Sequence, residues 1–206
     1  MEQRKEETAR AGQGVEQAAV RSAGMTAAQQ SDSRVYRLVV MAMLIGLGVV
    51  ISPILRVEGM CPMAHLINIT GAVLLGPWYS FVIAAIIGIL RMTLMGIPPL
   101  ALTGAVFGAT LSGILYRLSG GRLWTAVVGE IIGTGLIGAM ASYPVMTLLY
   151  GRTGLTWMFY VPSFIMGTLI GGTIAFFLLS ALRRRGTLRA IQHKLGVQRL
   201  DRLPHA

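Results

Sequence analysis

Apolar residues fall into six runs, divided by short breaks rich in glycine, proline or charge. The first covers residues 35–55 and stops at Pro53 and the polar pair Arg56 and Glu58. A second, 65–75, holds about 11 residues, too few for a straight helix to cross the ~30 Å hydrocarbon layer. Gly76-Pro77-Trp78 breaks it, and a third run, 79–95, ends at Gly96 and Pro98-Pro99. The fourth, 100–116, precedes the turn Ser119-Gly120-Gly121. The fifth, 123–150, contains Pro144, which is expected to kink a helix near one end. The last, 157–182, is closed by Arg183-Arg184-Arg185. Five runs come close to or exceed the ~20 residues of a spanning helix, so the pattern predicts an all-α bundle of six transmembrane helices, the second one short.

Composition agrees. Only 13% of the 206 residues are charged and 54% are hydrophobic, with mean hydropathy +0.66, whereas a soluble domain carries about a quarter charged residues. The net charge of +10 raises nucleic acid as a partner, but the basic residues cluster at the ends of apolar runs, which is the membrane-topology pattern. With a cytoplasmic N-terminus, one side receives Arg34, Arg37, Arg117, Arg122, Arg183, Arg184, Arg185, Arg189 and Lys194. The other receives Arg56 and Arg152, with Arg91 about a turn inside the boundary. This bias predicts both termini in the cytoplasm. Three units are expected: a disordered cytoplasmic tail, 1–33, the helical domain, 34–185, and a basic cytoplasmic tail, 186–206.

Charge also picks out the chemistry. Between residues 59 and 200 the sole carboxylate is Glu130, in the middle of the fifth apolar run. An ionisable group at membrane depth is costly and marks a functional position by default. His65 and Asn68, three apart, share one face of the short second helix. With Glu130, Tyr143, Arg91 and Trp157 they would line an outward-opening pocket suited to a small, polar, partly aromatic solute. Each also has a plainer role available: a headgroup contact for His65, a helix–helix hydrogen bond for Asn68, a buried ion pair for Arg91 and Glu130, and interface positions for Tyr143 and Trp157.

Small residues four apart, Ala42 and Gly46 on the first run and Gly104 and Gly108 on the fourth, permit close helix contact, as do Gly129, Gly133, Gly135 and Gly138. Spacing alone leaves open whether the contact lies within the fold or with a partner protein; for the first run a partner surface is favoured. The single cysteine, Cys61, excludes an internal disulfide and a Cys-based zinc site. There is no Walker-type loop, no H-E-x-x-H pair and no Ser/His/Asp arrangement, so neither ATP hydrolysis, a metal nor a cofactor is expected of this chain. The alternative to a solute-binding subunit is a membrane-embedded hydrolase or transferase using His65 and Glu130.

The stretch Cys61-Pro62, His65-Leu-Ile-Asn68 and Gly71 through Tyr79, together with Gly129-Glu130-Ile-Ile-Gly-Thr-Gly135, Gly138-Ala139 and Tyr143-Pro144, resembles the ThiW family. The resemblance covers about residues 35–182. It implies a non-enzymatic, multi-pass protein of a prokaryotic cell membrane: a substrate-binding S component of an energy-coupling factor transporter. It further implies capture of the hydroxyethylthiazole precursor of thiamine from outside. The implied partners are a transmembrane coupling protein, against which Ala42 and Gly46 would pack, and a pair of cytoplasmic ATPases.

Overall fold

The computed structural model describes residues 32–54 and 60–197. The tail expected over 1–33 lies almost wholly outside these residues, as do Arg56, Glu58 and the end of the basic C-terminal tail. Among the described residues the regular structure is helical: α1 (Asp32–Ile51), α2 (Pro62–Leu75), α3 (Pro77–Met95), α4 (Leu100–Leu118), α5 (Leu123–Leu149), α6 (Val161–Arg184) and α7 (Thr187–Lys194). Five are long and apolar enough to cross a membrane, and α2 is the short one.

With 14 residues, α2 is about 21 Å long, less than a bilayer's hydrocarbon depth. It does not need to span, because it lies inside the bundle: eleven of its residues are buried, and it packs against α3, α4, α5, α6 and α7. Its end is set by Gly76, whose φ of 90° lies in a region that side-chain-bearing residues avoid. Pro77 then starts α3 at a position where the missing N–H costs nothing.

Lipid supplies no hydrophobic drive between helices, so association rests on close packing of backbones. The seam between α4 and α5 is built this way. A Cβ on Gly129 would stand 2.6 Å from Ser112 Cα, one on Gly133 2.7 Å from Gly108 Cα, and one on Gly138 2.8 Å from Gly104 Cα. These glycines therefore serve contacts within the fold. By contrast, Ala42 and Gly46 of α1 are exposed, and a Cβ on Gly46 would meet nothing within 4 Å.

Two boundaries differ from the apolar runs. The sixth helix begins at Val161, with Pro162 in its first turn, so Trp157 sits in the turn ahead of it. The fifth runs unbroken through Pro144 but changes coil: residues Ile131–Gly138 and Val145–Leu149 are π-helical. Pro144 closes the α-helical stretch between the two π segments, and the first of them follows directly on Glu130, in keeping with the frequent placement of π segments at functional sites.

The bundle has two chemically distinct ends. Arg37, Arg117, Arg122, Arg183 and Arg184 lie at the end where α1 begins and α6 finishes. There α7 folds back: Gln192 donates to the Val73 carbonyl at 2.9 Å, and Arg37 donates to the Gly196 carbonyl at 2.9 Å. Leu188 and Leu195 are buried beneath this cap. The other end is made by the turns around Cys61, Pro98 and Arg152.

Candidate functional site

Glu130 is completely buried, and its Oε1 gathers three neighbours from two helices. His65 Nδ1 and Asn68 Nδ2, a turn apart on α2, each lie 2.9 Å away. Thr134 Oγ1, one turn further along α5, lies at 3.0 Å. The Thr134 hydroxyl is equally close to the Gly104 carbonyl of α4, and Asn68 Nδ2 also reaches the Ala105 carbonyl at 3.3 Å. Three helices are thus tied at one carboxyl oxygen. Buried polar groups in lipid must be satisfied internally, and this network does that for all but Oε2, which has no hydrogen-bond partner and faces Gly108. The 2.9 Å contact fixes the orientation of the imidazole, with Nδ1 turned to Glu130 and Nε2 to the other side. Nε2 lies beside Gly167 of α6, where a Cβ would come to 3.1 Å.

A cavity of about 360 Å³ lies next to this cluster, at the low end of the ~300–1,000 Å³ typical of ligand sites. Its floor includes His65, Gly104, Ala105 and Thr134; its mouth includes Met60, Cys61, Pro98, Tyr150 and Arg152, from three turns at the same end of the bundle. Ile97, Leu100 and Phe164 give it apolar wall. Arg91 borders it from α3 and is 3% exposed; its Nη2 lies 3.3 Å from Cys61 Sγ, while Nε has no partner. The Cys61 thiol in turn donates to the Ser52 carbonyl at 2.8 Å, joining α1 to the mouth.

Of the residues singled out by sequence, His65, Asn68 and Glu130 come together. His65 and Arg91 border the cavity, whereas Asn68 and Glu130 stand immediately behind its wall. Tyr143 and Trp157 meet each other, with ring centroids 4.4 Å apart, outside that wall; Trp157 is 55% exposed. Arg91 and Glu130 do not pair: among the described residues the ion-pair distance to Glu130 belongs to His65. Among the described residues there is also no group of three His, Cys, Asp or Glu side chains placed to hold a metal ion.

Phe164 and Arg152 are wall residues to which sequence reasoning gave no ligand role, and Thr134, an interior polar residue of the fifth run, also lines the wall. Thr134 had a signal, its four-residue spacing from Glu130; Phe164 had none. At the opposite end, Gly46 lies in an apolar groove with Tyr36, Met43, Leu47, Leu74 and Ile191, formed by α1, α2 and α7.

No curated protein and no solved structure matches the chain. The family profile described as thiamine-precursor transporter protein (ThiW) matches residues 38–185, which is most of the chain and the bundle from within α1 to the end of α6. The buried polar cluster, the cavity beside it and the set of apolar helices fit that match, and the chain belongs to the ThiW family of thiamine-precursor transporters, a multi-pass membrane protein.

Proposed function

We propose that this chain is the substrate-capturing S component of an energy-coupling factor transporter, and that it binds hydroxyethylthiazole without altering it. Both termini lie in the cytoplasm, so the cavity opens outward. His65 presents its imidazole to the ligand, and Arg91 reaches it from α3. Glu130 and Asn68 act through His65: the carboxyl group holds the imidazole's orientation, and the amide holds the carboxyl group. Tyr143 and Trp157 brace the outer end of α5. Ala42 and Gly46 receive the coupling protein, and a pair of cytoplasmic ATPases drives release to the inside.

The observation that carries this reading is the juxtaposition of a cavity of about 360 Å³ with a histidine whose orientation is set by the buried carboxyl of Glu130. A transporter subunit needs a rigid, polar contact in an otherwise apolar pocket, and no second acid or metal set stands with His65 among the described residues to support hydrolysis. Isothermal titration of the purified protein with hydroxyethylthiazole, thiamine and the pyrimidine half tests the ligand. Saturable binding of the thiazole alone supports the reading, and binding of the pyrimidine alone contradicts it. Copurification from native membranes tests the assembly: the coupling protein and ATPases should accompany the chain.

A further inference from the structure

A guanidinium in a membrane bundle is normally matched by a carboxylate or led out to the headgroups. Arg91 has neither arrangement. It sits one turn inside the end of α3, is 3% exposed, and among the described residues its side-chain hydrogen bond goes to a thiol, 3.3 Å from Nη2. A neutral thiol already donating to the Ser52 carbonyl is a weak acceptor for a charged donor. Nε, buried in the cavity wall, has no partner at all. Among the described residues the cavity lining contains a second guanidinium, Arg152 at the mouth, and no carboxylate. Glu130 directs its bonded oxygen at His65 and Thr134, and among the described residues it does not pair with Arg91.

The wall therefore has a hydrogen-bonding floor at His65 and Thr134 and a guanidinium side at Arg91. We infer that the cavity takes its thiazole-type ligand in an oxyanion-bearing form, a phosphomonoester on the hydroxyethyl arm, with Arg91 as the residue that recognises the anion. The ring rests on the floor and the apolar wall of Ile97, Leu100 and Phe164, and the arm points to Arg91. Guanidinium matches phosphate oxygens with two parallel N–H donors, Nε and one Nη, which is the edge Arg91 leaves unused at Nε. The charge is then neutralised by the ligand itself, so that an empty cavity is the costly state and the anionic ligand removes that cost. This inference rests on the thiazole reading above and adds the charge state of the substrate to it.

Titration of the purified full-length chain in detergent with three probes decides it: hydroxyethylthiazole, its phosphate ester and inorganic phosphate. The ester is expected to bind at least about tenfold more tightly than the alcohol, since hydrogen bonds to charged groups are the strong ones. Inorganic phosphate, lacking the ring, is expected to bind far more weakly than the ester. Arg91→Gln should abolish the preference for the ester, bringing its affinity down to that of the alcohol in the same variant. Arg91→Lys, which keeps the charge but loses the fork, should retain part of the preference. Equal affinity of wild-type protein for ester and alcohol overturns the inference alone, and needs no variant to fold. Inorganic phosphate binding as tightly as the ester, or an unchanged preference in Arg91→Gln, overturns it as well. If neither thiazole form binds the wild-type chain, the thiazole reading falls and this inference with it.

Discussion

Gly108 of α4 and Glu130 of α5 stand so close that a methyl group on the glycine would approach the carboxyl carbon and Oε2 to 2.8 Å and collide with the Thr134 hydroxyl. The absence of a side chain at residue 108 is what lets the carboxyl lie flat between the helices, with Oε1 turned to His65, Asn68 and Thr134. Helix packing and site geometry are here the same feature.

Gly108→Ala should therefore affect both. Overpacking of a tight seam costs about 1–3 kcal/mol, and part of that strain will be relieved by displacing Glu130. A lower melting temperature in detergent is expected together with weakened thiazole binding. Wild-type melting and wild-type affinity would show that the seam has slack which the geometry does not suggest.

Gly46→Leu should behave in the opposite way. A Cβ at this position meets nothing within 4 Å, so the isolated protein is expected to keep its stability to within about 0.5 kcal/mol and its affinity for the thiazole. If the α1 face receives the coupling protein, the same substitution will reduce the amount of coupling protein that copurifies. Undiminished copurification would move the docking surface away from α1.

At the basic end, Gln192 ties α7 to the body of the bundle through the Val73 carbonyl at 2.9 Å and the Tyr116 hydroxyl at 3.2 Å. Gln192→Ala removes both bonds, for an expected loss of about 1–2 kcal/mol in thermal stability. Ligand affinity should be unchanged, because the cavity is at the other end of α2. A fall in affinity without a fall in stability would reveal coupling between the two ends.

Much of this architecture is legible in the sequence because membrane spans are long and uniform in character. The apolar stretches of α3, α4 and α5 need no partner information, and the brevity of α2 is visible between Pro62 and Gly76. Glu130 is conspicuous as a lone acid in an apolar run, and His65 and Asn68 by their shared helical face. Other features depend on what each residue meets. Glycines four apart look alike on α1 and α4, yet those of α4 are pressed against α5 while Gly46 is open. Trp157 lies in an apolar run but precedes α6, because Pro162 suits the first turn of a helix better than its interior. The π coil after Glu130 has no periodicity to betray it, and Phe164 becomes a wall residue only through the crossing of α4 and α6.

The most direct test of the central claim is thiazole titration of wild-type protein beside His65→Ala and Glu130→Ala, with folding of each variant verified by its melting curve. Removing His65 takes away a wall contact, and removing Glu130 releases the imidazole from its fixed orientation at 2.9 Å. Both variants are expected to lose about tenfold or more in affinity, in line with the ~1.4 kcal/mol that a well-placed buried hydrogen bond contributes. Folded variants that bind the thiazole as tightly as the wild-type chain would contradict the account.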